Sequence, residues 1–132
     1  MSAEVFFDTN ILVYLLSGDT AKAARSEELL AAGGTISVQV LNEFANAASK
    51  RRKAPWSVVK DNLAVFKTLL RIEPLTLETH ELGMSIAEQH SVSLYDAMII
   101  AAARLAGCKT LYSEDMQDGR AFDRLMIRNP YR

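Results

Sequence analysis

Short apolar runs that suit strands alternate with longer segments of helical periodicity along most of the chain. The strand-like runs are Val5–Phe7, "TIS" at 35–37, "RIEPL" at 71–75 and "KTLYS" at 109–113. Parallel strands need a crossover connection, which is usually a helix. The alternation therefore predicts an α/β fold in which a short, mainly parallel sheet is covered by helices on both faces.

The ends of several elements can be predicted from capping and turn residues. Asp19 or Thr20 can cap a helix that ends at a glycine pair, and Ser57 can cap the helix that follows Pro55. The segment "LYDAMIIAAARLAG" is apolar almost all round, so we expect a buried helix there. The late run "MIRNP" is predicted to be an edge strand, closed by its proline.

Composition limits the class of protein. A chain of 132 residues with 49% hydrophobic and 23% charged residues predicts one globular domain over residues 1–132. Asp8 interrupts the apolar start, which excludes a signal peptide or membrane span and favours a cytoplasmic protein without membrane association. Cys108 is the single cysteine, and His80 and His90 lack zinc-site spacing, so we expect neither a disulfide nor a zinc site.

Acidic residues fall where the predicted elements meet. Asp8 directly follows the first strand, and Asp115 follows "KTLYS". Asp96 lies in the first turn of the most apolar helix, where an uncompensated charge would be costly. Ligands of parallel sheets bind beyond the carboxyl ends of the strands. We therefore expect these carboxylates to share one edge of the sheet.

Each acid also has a purely structural interpretation. Asp8 could form an Asx turn with nearby backbone amides. Asp96 stands three residues after Ser93, the spacing of a capping box. Glu43 is typical of a solvated helix surface, and Asp118 of a turn. Taken together, however, acids that fall at element ends on the same predicted edge favour a shared site.

Carboxylates that converge repel one another and raise each other's pKa unless a cation lies between them. Oxygen ligands without histidine or cysteine favour hard ions, so the predicted cofactor is Mg²⁺, with Mn²⁺ as a substitute. Such an ion can promote phosphodiester hydrolysis by activating a water molecule and polarising the phosphoryl group. No nucleophilic side chain is then required.

Four segments in this order resemble a known family. They are "FFDTNILVY", "SVQVLNEF", "LYDAMIIAAA" and "TLYSEDMQDG", which together span most of the chain. The sequence resembles the PIN domain family, particularly the VapC-type ribonuclease toxins of prokaryotic toxin–antitoxin pairs. The resemblance implies a PIN-like three-layer α/β/α sandwich. It also implies a homodimer, neutralisation by a small antitoxin laid over the active-site groove, and cleavage of RNA.

The resemblance also implies roles for particular residues. The catalytic and metal-binding acids of a Mg²⁺-dependent endoribonuclease would be Asp8, Glu43, Asp96 and Asp115, supported by Thr9, Asn10 and Ser113. The family commonly has threonine in place of Ser113 and a different spacing of the acids after it. Asp118 could therefore share or replace the role of Asp115 as a metal ligand.

Cationic and aromatic residues suggest how RNA could be held. The net charge of −1 gives no overall attraction for a polyanion, so a local patch must supply it. The densest candidate is the run Lys50, Arg51, Arg52 and Lys53, with Trp56 as a possible stacking partner; a solvated helix end is the alternative. Tyr95 and Met98 are interpreted as core or dimer packing without a catalytic role.

Two other classes of protein remain as alternatives. A haloacid-dehalogenase-like phosphatase would use a strand-end aspartate as nucleophile, but Asn10 stands where its second aspartate is usual. A receiver-like or catalytically inactive PIN-like domain would bind metal for regulation or interaction. A receiver would have a lysine after a late strand, whereas Lys109 precedes "TLYS".

Overall fold

The fold is built around a six-stranded sheet. The structure is a computed structural model and describes residues 4–132. The strands are β1 (Val5–Phe7), β2 (Thr35–Ser37), β3 (Arg71–Glu73), β4 (Thr110–Tyr112), β5 (Ala121–Phe122) and β6 (Leu125–Arg128). Their order across the sheet is β3-β2-β1-β4-β6-β5. The β5–β6 pair is antiparallel, and the other pairs are parallel.

Helices connect the parallel strands. They are α1 (Thr9–Val13), α2 (Thr20–Ala31), α3 (Val38–Asn46), α4 (Trp56–Leu69), α5 (Leu77–His90) and α6 (Leu94–Leu105). A 3₁₀ turn at Tyr14–Leu16 follows α1, and a π-helical turn at Ala47–Arg51 follows α3. The predicted α/β class with a short, mainly parallel sheet is confirmed. Among residues 4–132, no helix is long and apolar enough to cross a membrane.

The core lies along the central strands and against α6. Phe6 of β1 pairs with Thr35 of β2 on one side and with Leu111 of β4 on the other. Phe6, Leu111 and Ile127 are completely buried. The stretch Ala97–Ala103 of α6 is buried throughout, as its uniformly apolar sequence predicts. Because β1 has a neighbouring strand on each side, Asp8, the residue that follows it, is held at a fixed place at the carboxyl end of the sheet.

Two predictions about elements are wrong. The run "MIRNP" contributes to β6, which lies between β4 and β5 and is therefore not an edge strand. The edge strands are β3 and β5, and the two residues of β5 are too few to show an alternating pattern. Ser57 does not cap α4: the helix begins at Trp56 with Pro55 as its N-cap and without a capping side chain. The predicted cap of α2 is confirmed at Asp19, which accepts a bond from the Lys22 amide.

Candidate active site

Asp8 is buried at the carboxyl end of β1, where it also caps α1. Its Oδ1 accepts a hydrogen bond of 2.7 Å from the Thr9 amide. Its Oδ2 accepts bonds of 2.6 Å from the Ser113 hydroxyl and 3.0 Å from Asn10 Nδ2. The Asx interpretation is thus present in the structure. It coexists with an orientation in which Asp8 also lines a pocket at this end of the sheet.

Burial dominates the electrostatics of Asp8. Loss of solvation raises the pKa of its carboxyl from 3.8 to about 7. Hydrogen bonds from Ser113 and Thr9 oppose this rise, whereas the negative charges of Asp96 and Glu43 add to it. The hydrogen bonds do not fully stabilise the ionised carboxylate of Asp8. A cation bound beside Asp8 would therefore be favourable.

Asp96 lies in the first turn of α6, half-buried and facing the same pocket. Ser93 caps the helix by accepting a bond of 3.3 Å from the Asp96 amide. Burial raises the pKa of the Asp96 carboxyl, the bond with Ser93 lowers it, and the charge of Asp115 raises it. The cap that the sequence predicts at Ser93 is thus formed, and the acid is nevertheless turned towards other acids.

Glu43 reaches the pocket from α3 and is held by two donors. Thr9 Oγ1 donates to its Oε1 at 2.9 Å, and Gln39 Nε2 donates to its Oε2 at 2.7 Å. The bond to Thr9 joins α3 to the residue directly after Asp8. The bond from Gln39 is an i, i+4 contact of the kind that surface helix residues also make, whereas the bond from Thr9 comes from another element and favours a defined orientation of Glu43.

The structure places Asp115 and Asp118 in different surroundings. Asp115 lines the pocket, and its Oδ2 accepts a bond of 3.3 Å from Asn10 Nδ2. Asp118 instead accepts a bond of 2.9 Å from the Asn129 amide and lies 3.9 Å from Arg132 Nη1. Asp118 does not line the pocket. Of the two candidates for a fourth acid, Asp115 is the one that the fold brings to the others.

The basic run is divided by the π-helical turn. The Arg52 amide donates to the Ala47 carbonyl at 3.2 Å, a bond that spans five residues instead of four. Arg51 at the end of this turn and Arg52 directly after it line the pocket, whereas Lys50, Lys53 and Trp56 do not. The pocket thus combines acids near the carboxyl ends of the strands with two guanidinium groups from the segment directly after α3.

The PIN domain family model matches residues 5–124 of the 132-residue chain. This chain belongs to the PIN domain family. The match supports the resemblance seen in the four sequence segments over the phosphatase and receiver alternatives. A comparison with curated protein sequences found no match.

Solved structures of similar fold come from toxin–antitoxin systems. A toxin–antitoxin complex from Klebsiella pneumoniae is 22% identical with a TM-score of 0.72, covering 96% of this chain and 98% of that chain. VapC20 of Mycobacterium tuberculosis, described as a sarcin-ricin loop cleaving toxin, is 24% identical with a TM-score of 0.71, covering 84% and 89%. VapBC2 of Rickettsia felis, bound to promoter DNA, is 23% identical with a TM-score of 0.70, covering 95% and 97%. At these identities the likeness shows the fold.

The donor set of this PIN domain fits a hard cation. The pocket acids offer oxygen atoms alone, and the raised pKa of Asp8 indicates that a positive charge would be favourable beside it. Within residues 4–132 the side chains form no ready-made group of three or more metal ligands. Mg²⁺ commonly binds through only one or two carboxylates and keeps several waters. A pocket in which the acids are neighbours without touching is compatible with that mode of binding.

Sequence analysis missed a polar cluster beside the acids. The Glu114 carboxylate accepts bonds from the Tyr14 hydroxyl and from Lys22 Nζ. The bond from Lys22 lowers the pKa of Glu114, and the bond to Glu114 raises the pKa of Tyr14. The Glu114 amide also donates to Asn10 Oδ1 at 3.1 Å, which links the cluster to the acids. The only available signal was the position of Glu114, directly after the predicted strand and Ser113.

Tyr95 does not lie in the core, which was one of the two interpretations of this residue. Its side chain is 64% exposed and lines the pocket, whereas its neighbour Met98 is 4% exposed and belongs to the core. The prediction of a core position is therefore confirmed for Met98 and wrong for Tyr95, for which packing in a dimer stays a prediction.

Proposed function

We propose that this PIN domain is a Mg²⁺-dependent endoribonuclease, with Mn²⁺ able to replace Mg²⁺. The observation that carries the proposal is the meeting of Asp8, Glu43, Asp96 and Asp115 in one pocket at the carboxyl edge of the sheet. These residues come from four separate parts of the sequence. Their shared position is best explained by a common ligand, because mutual repulsion alone would disfavour it.

In this proposal Asp8, Asp96 and Asp115 would hold the metal, and Glu43 would act on the attacking water. When bound, Mg²⁺ supplies a Lewis acid for the phosphoryl oxygen and lowers the pKa of water. Glu43, fixed by Thr9 and Gln39, would orient the attacking water and accept its proton. The P–O bond to the leaving ribose oxygen breaks as the new one forms, and that oxygen takes a proton from solvent. Thr9, Asn10 and Ser113 are positioning residues, since they donate hydrogen bonds to the acids.

The basic side of the pocket provides the grip on RNA. Arg51 and Arg52 line the pocket and can contact phosphates on either side of the cleaved linkage. Lys50 and Lys53 are exposed outside it and would act on more distant phosphates. With a net charge of −1, the protein depends on this local patch to offset the repulsion between the acids and RNA.

The proposed biological role is that of a toxin in the cytoplasm. The similar solved structures include a toxin–antitoxin complex and VapBC2 bound to promoter DNA. By analogy with them, the expected partner is a small antitoxin that covers the pocket, and the expected assembly is a homodimer.

A cleavage assay tests the proposed reaction. Purified protein is incubated with a mixed RNA pool with Mg²⁺, with Mn²⁺, or with a chelator. We expect fragments with either metal and none with the chelator. Asp96→Asn and Asp115→Asn should reduce cleavage by roughly 100-fold or more, because each removes a ligand charge.

Two further variants sharpen the assay. Asp61→Asn changes an exposed acid on α4 and should leave cleavage unchanged. Asp118→Asn tests the alternative fourth ligand and should retain most of the activity. Intact RNA under every condition would instead support an inactive PIN-like domain with a regulatory role. Cleavage that survives Asp96→Asn would reject the metal-binding role of that residue.

A further inference from the structure

We infer that the pocket contains a subsite for one unpaired nucleobase, formed by Tyr95 with Asn42 and Asn46, beside the cleaved linkage. This inference rests on the proposed function and extends it from the phosphodiester to the base that is recognised. The substrate class is single-stranded RNA, because a base within a duplex is not free to enter such a subsite.

The size of the pocket exceeds what the metal site needs. Its volume is about 590 Å³. Pockets for organic ligands occupy roughly 300–1,000 Å³, whereas a water molecule takes about 30 Å³ in the liquid. A hydrated ion therefore leaves much of the pocket unfilled. The remaining space suits a nucleoside attached to the phosphate that the metal binds.

Tyr95 offers an aromatic surface in that space. It lines the pocket with 64% of its surface exposed, although tyrosine rings usually bury much of their area. Tyr95 directly precedes Asp96, so a base stacked on this ring lies one residue from a proposed metal ligand. Stacking between a base and an aromatic side chain tolerates any base and contributes to affinity for single strands.

Asn42 and Asn46 offer hydrogen-bonding groups of both kinds. They lie one helical turn apart on the pocket side of α3, with Glu43 between them. Both are exposed, and neither side chain bonds to another of residues 4–132. Each amide has a donor and an acceptor, which match the edge of a nucleobase better than they match phosphate. They are therefore the specificity-determining groups of the subsite.

Trp56 provides a matched comparison. It is 62% exposed, close to the 64% of Tyr95, and it is the first residue of α4, just after the basic run. It does not line the pocket. If any exposed aromatic side chain sufficed, Trp56 and Tyr95 would contribute alike. The subsite that we infer requires Tyr95 and makes Trp56 dispensable.

A binding experiment that involves no cleavage tests this inference. Mg²⁺-loaded protein is titrated by NMR with AMP, CMP, GMP and UMP, and with ribose 5-phosphate, which lacks a base. None of these ligands contains a phosphodiester between nucleosides. We expect at least one nucleotide to bind more tightly than ribose 5-phosphate by roughly fivefold or more, the factor for one stacked base.

Single-residue variants show which side chains produce the tighter binding of nucleotides relative to ribose 5-phosphate. Tyr95→Ala should make the nucleotides bind no better than ribose 5-phosphate, whereas Tyr95→Phe and Trp56→Ala should keep the difference. Asn42→Ala and Asn46→Ala should reduce the differences among the four nucleotides while keeping the stacking contribution. The inference is overturned if ribose 5-phosphate binds as well as every nucleotide, if nothing binds, or if Tyr95→Ala leaves the difference intact.

This test separates the subsite from the reaction. A protein that prefers nucleotides through Tyr95 but leaves RNA intact has the subsite and lacks the proposed activity. A protein that cleaves RNA but binds ribose 5-phosphate as well as nucleotides has the activity and lacks the subsite.

Discussion

At the scale of single residues, the buried Asp8 carboxyl binds a proton more tightly in the folded protein than in the unfolded chain. Its carboxylate is buried, and the pKa of about 7 means that much of it is protonated near neutral pH when no cation is bound. An unfolded chain would lose the same proton near 3.8. The folded state therefore holds a proton that the unfolded state has already released, over the range between these two values.

This difference predicts that the metal-free protein loses stability as pH rises from about 4 to about 7. Between these values the native state binds more protons, so the free energy of unfolding falls with pH, by at most roughly 4 kcal/mol. Urea unfolding in a chelator at pH 5 and pH 8 measures this effect. Asp8→Asn should flatten the dependence, and Mg²⁺ at pH 8 should restabilise the wild type but not the variant. Equal slopes for both proteins would contradict the assignment to Asp8.

Sequence analysis could predict the acids but not their surroundings. Asp8 and Asp96 were identified because a charge at the end of an apolar element needs a partner, which is a local signal. Glu114 and its bonds to Tyr14 and Lys22 carry no such signal, since these partners are 100 and 92 residues away. Exposure of Tyr95 likewise depends on which face of α6 the sheet covers.

At the scale of elements, the contact between α5 and α6 depends on a glycine. A Cβ added at Gly83 would lie 2.7 Å from Met98 Sδ and 2.9 Å from its Cε. Met98 is 4% exposed, so its side chain has little free space into which to move. The absence of a side chain at Gly83 thus allows the two helices to approach closely.

Gly83→Ala should destabilise the protein even though alanine favours helix. The gain in helix propensity is about 1 kcal/mol, whereas overpacking a core contact costs roughly 1–3 kcal/mol. The midpoint of urea unfolding should therefore fall. In a Met98→Ala background the Sδ and Cε atoms that a Cβ at Gly83 would meet are absent. Gly83→Ala should then raise the midpoint of urea unfolding. A change of the same sign in both backgrounds would show that the contact with Met98 is not the cause.

Elements with a sustained pattern were predictable, and those fixed by a few bonds were not. The helix α6 follows from its continuous apolar run. The two-residue strand β5 and the start of α4 at Trp56 depend on tertiary contacts and on backbone bonds to Pro55. The π-helical turn after α3 leaves no mark in side-chain periodicity, because it inserts one residue into an otherwise ordinary helix.

At the scale of the whole molecule, the last residues close the structure onto α2. The Tyr131 hydroxyl lies 2.7 Å from Ser26 Oγ, and its ring meets the Tyr14 ring edge-on at 5.1 Å. Arg25 Nε donates to the Pro130 carbonyl at 3.1 Å. Burial raises the pKa of Tyr131 to about 12, so the hydroxyl keeps its proton at physiological pH. The two hydrogen bonds each join residues that are 105 positions apart in the chain.

Tyr131→Ala should therefore affect both stability and the pocket. Losing the hydrogen bond costs about 1 kcal/mol, and losing the ring contact about 0.5–1.5 kcal/mol in addition to the burial of the ring. Because Tyr14 also bonds Glu114 beside the acids, we expect slower RNA cleavage as well. Tyr131→Phe keeps the ring and should lose only about 1 kcal/mol with near-normal cleavage. Thermal unfolding and the RNA assay measure the two effects, and equal losses in both variants would contradict a role for the ring.

The π-helical turn at Ala47–Arg51 also acts as a rotational offset. In a continuous α-helix each residue is rotated by about 100° from the one before it, so the residue four positions after Asn46 would lie on the same side as Asn46. The π-helical turn inserts one residue, so the residue five positions after Asn46 takes that place. Backbone geometry, and not only side-chain identity, thus selects Arg51 over Lys50 for the pocket. A change that straightens this turn could exchange a planar, forked guanidinium for a compact ammonium without altering either residue.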